Sequence, residues 1–238
     1  DEDANEVEEA ELLCRERKPL GLLFLGGNPE YFKKSFSQVD IPCVLVTNRA
    51  NEMKFPNLSS VATDDIAAAK CAVDALFEAG HKDIGILGGD FEKSYTSHQR
   101  YLGCVESFKE HGLPIKPETC YENARFSYDS AYRAMGRLIK KYPQLTAVFA
   151  MSDVMAIGAI RALRDMNYRI PEDISVIGFD GTALAEYYNP KLATIKQAYR
   201  TLAVRSVEIL FGQIELKKDS IHEIVPFEFV SGESIGTI

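Results

Sequence analysis

The chain has 238 residues, 46% of them apolar and 26% charged, and 27 basic against 35 acidic side chains leave a net charge of −8. That length suits one large domain or two small ones, and the ordinary composition excludes a collagenous, coiled-coil or disordered chain. The acidic balance argues against a direct grip on nucleic-acid phosphates, which needs clustered Lys and Arg, and no apolar run approaches the roughly 18 residues that cross a bilayer.

In chain order, the opening DEDANEVEEAEL is acidic and does not read as a signal peptide. Glu6 to Lys18 predicts a helix, acidic first and basic last, as the helix dipole favours. Leu20 to Leu25, ending in Gly26-Gly27, and Pro42 to Val46, ending in Thr47-Asn48, predict strands. Asp65 to Ala79 places Ile66, Ala69, Val73, Leu76 and Phe77 at helical spacing and stops at Gly80. Ile84 to Leu87 predicts a strand closed by Gly88-Gly89, followed by a helix over Gln99 to His111 that stops at Gly112. Further helices are expected over Ser127 to Lys141, Asp153 to Asn167 and Leu202 to Leu216. Thr146 to Met151 and Ile174 to Phe179 complete the strands, ending in Ser152-Asp153 and Asp180-Gly181. Short apolar runs stopped by small or polar residues suit parallel strands buried on both faces. Their alternation with helices predicts a doubly wound α/β architecture.

In such sheets ligands sit outside the carboxyl ends of the strands. The residues there are Asn48 and Arg49, Ser94 to Arg100, Phe126 to Asp129, Ser152 and Asp153, and Asp180. The mixture of carboxylates, a guanidinium and aromatics suits a small polar ligand with hydroxyls or ring nitrogens. Asp180 can accept two hydrogen bonds from neighbouring hydroxyls, as a sugar offers, or can cap the next turn. Arg100 can hold ligand oxygens bidentately or serve an ion pair, and Phe126 can stack on a ligand face or belong to the core. No GxGxxG, GxxxxGK[ST] or HExxH is present, so neither a nucleotide cofactor nor an enzyme is expected. The five cysteines are odd in number and unpaired in spacing, which suits reduced thiols in the cytosol. Four scattered histidines give no metal-ligand spacing.

From Ser60 onward several stretches occur in a recognisable order. They are Val61-Ala-Thr-Asp-Asp65, Ala79 to Gly89, Arg100-Tyr-Leu-Gly103, Thr146 to Gly158, Ile170 to Asp180 and Pro190 to Gln197. Together they resemble the effector-binding core of the lactose/galactose-repressor (LacI/GalR) regulators, which shares the type I periplasmic-binding-protein fold. The resemblance implies two doubly wound parallel-sheet subdomains joined by three crossovers near Asp64, Gln197 and His222. Residues 1–64 with 198–222 would form one subdomain, and 65–197 with 223–238 the other. It maps effector contacts onto Thr96, Arg100, Phe126, Ser152, Asp153 and Asp180, adds Ser94, and leaves Asn48 a further candidate. Ser152 stands where sugar regulators commonly carry Asn, and Gly232 where the family commonly has Arg.

The implied protein is a cytoplasmic, homodimeric transcription regulator without a cofactor, whose core binds a sugar (or, second, a purine) in a cleft. The ligand would bridge Arg100 and Asp180 with Phe126 stacked on it, and Tyr187 and Tyr188 would join the dimer interface. Substituting Asp180→Ala or Arg100→Ala would then weaken binding with little loss of fold. The family's helix-turn-helix, hinge helix and first strand–helix unit find no counterpart here. The expectation is therefore a longer polypeptide, operator binding only through that missing head, and a sheet edge left bare. The alternative reading is an extracytoplasmic sugar-binding protein of a transporter, which shares the fold. The PEDISVIGFD and TIKQ stretches favour the regulator.

Overall fold

The computed structural model describes residues 5–238, so the acidic start at Asp1 to Asp3 lies outside the described residues. The first half of the chain runs α1 (Glu6–Arg17), β1 (Leu22–Leu25), α2 (Pro29–Ser35), β2 (Cys43–Val46), β3 (Leu58–Thr63), α3 (Asp65–Glu78), β4 (Ile84–Gly88), α4 (Tyr95–Glu110), α5 (Pro117–Cys120) and β5 (Tyr121–Asn123). The second half runs α6 (Tyr128–Lys141), β6 (Ala147–Ala150), α7 (Asp153–Asp165), β7 (Ser175–Asp180), α8 (Ala183–Tyr187), β8 (Ala193–Gln197), α9 (Tyr199–Leu216), β9 (His222–Val225) and β10 (Phe227–Val230). The chain divides into two compact units: residues up to Asp64 with Ala198–Pro226, and Asp65–Gln197 with Phe227–Ile238.

The first unit holds a parallel four-stranded sheet in the order β1-β2-β3-β9. Every residue of β2 is buried, which is why it reads as a continuous apolar run. One core gathers Phe24, Phe32, Phe36, Leu45 and Leu58, with Phe32 and Phe36 stacked at 5.5 Å. On another, Val44, Val46 and Val61 pack with Leu202 and Ile209 of α9. The outer strand β1 leaves Leu25 84% exposed, an apolar sheet edge.

The second unit holds six strands in the order β10-β8-β7-β6-β4-β5. Five run parallel and β10 runs antiparallel to β8, which amends the all-parallel expectation at one edge. Its helices approach closely at glycines. A Cβ on Gly103 of α4 would lie 2.3 Å from the Ile66 carbonyl oxygen in α3, and one on Gly158 of α7 would lie 2.3 Å from the Tyr128 carbonyl oxygen in α6.

The six helices read from periodicity are present. α4 begins at Tyr95 rather than Gln99, because Ser94 caps it and its Oγ accepts from the Ser97 amide. Strand β3 escapes a search for apolar runs because Ser59 and Ser60 interrupt it. Both are buried: the Ser59 Oγ accepts from the Ile221 amide, and the Ser60 Oγ accepts from the Ala50 amide. The last crossing, expected near His222, comes after Pro226, because β9 pairs with β3 along its whole length.

Candidate functional site

At the carboxyl ends of β4, β6 and β7 the second unit assembles a polar cluster around Arg100. Arg100 lies in the second turn of α4, not at its start, and is buried. Its Nε donates to Asp65 Oδ1 at 2.8 Å, and its Nη1 donates to the Met151 carbonyl at the end of β6. Its guanidinium carbon stands 3.6 Å over the centre of the Phe179 ring. A planar, permanently charged fork can serve all three partners at once, which a lysine cannot. Two of its three nitrogens are thus committed, and Nη2 points to Asp180 Oδ1 at 3.9 Å, beyond hydrogen-bond length.

Asp180 is the last residue of β7 and has φ +113°, a region that non-glycine residues rarely adopt. Gly181 follows at φ +71°, where a Cβ would fall 2.5 Å from Lys196 Cβ, so the turn needs a glycine there. Asp180 Oδ1 accepts from Gln197 Nε2 at 2.9 Å, and among the described residues Oδ2 accepts no hydrogen bond. Burial pushes the Asp180 carboxyl up to about 6. The Arg100 charge and the Gln197 bond pull it back down, while Asp153 and Asp65 push it further up. A carboxylate held this way is underserved: one oxygen is engaged, and the other can take a ligand's donor.

Asp153 stands behind Asp180 and is fully buried. Its Oδ1 accepts from the Thr194 hydroxyl at 2.6 Å, and its Oδ2 accepts from the Thr182 amide at 2.6 Å, which fixes the turn that carries Asp180. Burial raises its carboxyl above the usual range despite these bonds. Ser152 caps α7, its Oγ accepting from the Met155 amide, as Ser94 caps α4. The Asn48 Nδ2, in the first unit, donates to the Gly27 carbonyl at 2.6 Å. Ser152, Asp153 and Asn48 thus each make a bond that supports local structure. Thr96 is half-exposed in the first turn of α4, and Phe126 is half-buried beside Gly89, where a glycine Cβ would lie 3.3 Å from its ring.

Arg100 and Asp180 belong to the same unit and face each other at ion-pair distance. Gly232 offers no side-chain contact and could hold no arginine in this backbone, since a Cβ there would lie 2.4 Å from the Ala193 nitrogen. Sequence reasoning did not single out Asp65 and Phe179, which contact Arg100, or Gln197, which contacts Asp180. Asp65 and Gln197 close two of the stretches that carried the resemblance, which was the available signal. Elsewhere on the second unit a groove of about 590 Å³ lies between α6 and α7, lined by Tyr128, Tyr132, Ile157, Arg161, Asp165 and Tyr188.

Residues 73–235 match the Periplasmic binding protein-like domain. The chain belongs to this family. It is 35% identical over 222 residues to the HTH-type transcriptional regulator MalR of Clostridium butyricum, covering 92% of this chain and 66% of the relative. It is 39% identical over 148 residues to the HTH-type transcriptional repressor PurR of Pasteurella multocida, covering 62% of this chain and 44% of that one. Among solved structures, the transcriptional regulator CelR in complex with cellobiose superposes with a TM-score of 0.83 at 25% identity, over 96% of this chain and 70% of that one. The chain thus spans about two thirds or less of these curated relatives. The likeness to LacI/GalR effector-binding cores, and the periplasmic-binding-protein-like α/β fold it implied, are upheld. No helix among the described residues is long and apolar enough to cross a membrane.

Proposed function

We propose that this chain is the effector-sensing and dimerising core of a cytosolic LacI-type transcription regulator, whose operator contacts are made by a separate DNA-binding head. The observation that carries the reading is the Arg100–Asp180 edge: a fixed cation and a half-served carboxylate, 3.9 Å apart at the carboxyl ends of a sheet. A hydroxylated ligand accepts from Nη2 and donates to Oδ2, with Thr96 and Phe126 as its further contacts. Sugars fit this pairing first, and purines, with ring donors and acceptors, second. Cellobiose in the CelR complex supports the first choice. In this reading the ligand leaves unchanged. It acts by binding two conformations of the core unequally, and typical couplings are about 1–3 kcal/mol. The relatives are regulators by name, which favours this reading over a transporter's sugar-binding protein.

For the dimer, we assign the interface to the face bearing Tyr187, which is 82% exposed, Tyr188 and the α6–α7 groove.

A thermal-shift screen of mono- and disaccharides, adenine and guanine tests the site. A true effector raises the melting temperature by mass action, and Asp180→Ala abolishes that rise while the apo protein still melts cooperatively. A confirmed effector that stabilises Asp180→Ala as well as the parent would put the site elsewhere. Arg100→Ala is no longer a clean test: removing a buried guanidinium takes the charged donor from Asp65 Oδ1 and uncovers Phe179, so loss of fold is expected. Arg100→Lys replaces it.

A further inference from the structure

Helix α4 buries two serines completely, Ser97 and Ser107, and their hydroxyls fare differently. The Ser107 Oγ donates to Asp74 Oδ1 at 2.5 Å, whereas among the described residues the Ser97 Oγ has no hydrogen-bond partner. A hydroxyl taken out of water without a partner is costly, and native proteins hold few of them. The neighbours of Ser97 are those of the effector site. It stands three residues before Arg100, so the two side chains lie on one face of α4. That face meets the carboxyl end of β4. A Cβ on Gly89 would fall 2.5 Å from Ser97 Oγ and 3.3 Å from the Phe126 ring, so hydroxyl and ring come together over a backbone that carries no side chain. The Gly89 carbonyl is turned to Tyr121, whose hydroxyl donates to it at 2.6 Å.

We propose that Ser97 is a specificity-determining residue of the effector site: its hydroxyl, unmet in the free chain, pairs with a hydroxyl of a sugar effector. This rests on the assignment of the site to Arg100 and Asp180. Ser97 is fully buried and Phe126 half-buried, so turning that one ring off Gly89 is the movement that opens the hydroxyl to a ligand. The same turn frees a ring face to stack on the sugar. Arg100 offers only donors and an ionised Asp180 only acceptors, while a serine hydroxyl offers both. A sugar hydroxyl, itself donor and acceptor, is therefore satisfied by Ser97 in either sense. A deoxy carbon at the same place leaves Ser97 unmet, and sites built to bond a hydroxyl discriminate against the analogue that lacks it.

Ser97→Ala and Ser107→Ala in the intact chain test this, first without any ligand. Ser97→Ala removes a hydroxyl that holds nothing and is expected to melt at or above the parent's temperature. Ser107→Ala breaks a bond that is made and is expected to melt lower. A Ser97→Ala protein that melts as low as Ser107→Ala has lost a hydroxyl already engaged in the fold, and that result overturns the proposal. Titration calorimetry with mono- and disaccharides, adenine and guanine follows. A sugar that binds the parent is expected to bind Ser97→Ala about tenfold more weakly, the equivalent of one hydrogen bond. At least one monodeoxy derivative of that sugar is expected to bind both proteins alike. Equal affinity of the parent and Ser97→Ala for the sugar overturns the proposal, as does a panel from which only the purines bind. Binding lost in Asp180→Ala but kept in Ser97→Ala removes the role of Ser97 and leaves the site standing. Unaltered binding by Asp180→Ala removes the site itself, and a parent that binds no member of the panel removes both.

Discussion

At the scale of single residues, Asp180 combines three unfavourable features: a positive φ, substantial burial, and a carboxyl pushed up to about 6. Its unfolded-state value is 3.8, so between about pH 4 and pH 6 the folded chain holds more proton at this group than the unfolded chain does. Stability contributed by Asp180 therefore falls as pH rises through that window, and the full cost persists at neutral pH. Asp180→Asn removes the charge and keeps an acceptor for Gln197, on a residue type tolerant of positive φ. The expected result is an apo protein about 1–3 kcal/mol more stable than the parent at pH 7.5, at 1.36 kcal/mol per pH unit of displacement, with effector response lost. That advantage shrinks toward zero at pH 4. Urea denaturation of both proteins at the two pH values measures it, and a pH-independent difference contradicts the assignment. Asp180 was legible in the sequence because it is a polar residue just past an apolar run, and Arg100 because it lies in the segment that follows one. Asp65 and Gln197 were not, since their roles come from pairings across 35 and 17 residues that no local pattern encodes. Asp153 was legible as a polar residue at the right place, but its inward orientation toward Thr194 and Thr182 could be seen only in three dimensions.

At the scale of elements, glycines separate two physical roles that look alike in sequence. Gly103 lets α4 lie against the backbone of α3, where a Cβ would meet the Ile66 carbonyl at 2.3 Å and the Lys70 nitrogen at 2.9 Å. Gly136 in α6 has nothing within 4 Å of its Cβ position. Gly103→Ala is expected to destabilise by about 1–3 kcal/mol or more, because backbone must move to admit the methyl. Gly136→Ala is expected to stabilise by about 0.5–1 kcal/mol, because a helix-interior glycine loses unfolded-state entropy when replaced. Paired denaturation curves check both signs, and equal effects at the two positions would refute the close-approach account. Helix stops were readable in advance: Gly80 and Gly112 take φ +98° and +70° just past α3 and α4. The short helices α2, α5 and α8 were not, because four to seven residues carry too little periodicity to register. The last strands were hidden for another reason. β9 and β10 are mostly exposed or half-exposed, so no apolar run marks them, and they are defined by partners far back in the chain.

At the scale of the whole molecule, alternation of runs and helices is enough to forecast an α/β architecture, but not that the chain changes unit three times. That follows from pairings such as Ser60 with His222 in the first unit and Phe227 with Gln197 in the second, which only the resemblance anticipated. The same holds for association between copies. Tyr187 is 82% exposed and lies beside Tyr188, which lines the α6–α7 groove. There the Tyr132 hydroxyl and Arg161 Nε both donate to Asp165, at 3.1 and 3.0 Å, giving the groove a charged rim beside its aromatic wall. An aromatic centre with a polar rim is the anatomy of a protein interface, where buried tyrosines carry much of the binding energy. A single face used by both copies closes into a two-fold dimer and limits growth. Tyr187→Asp places a charge at the centre of that proposed contact, and its exposure leaves the monomer's packing untouched. Sedimentation equilibrium is expected to show a dimer for the parent and at least about tenfold weaker self-association for the variant, the equivalent of 1.4 kcal/mol. Tyr199→Asp, a change at a tyrosine 44% exposed in the first unit, serves as the control and should remain dimeric. If Tyr187→Asp dimerises as tightly as the parent, or Tyr199→Asp is the variant that dissociates, the interface lies on another face.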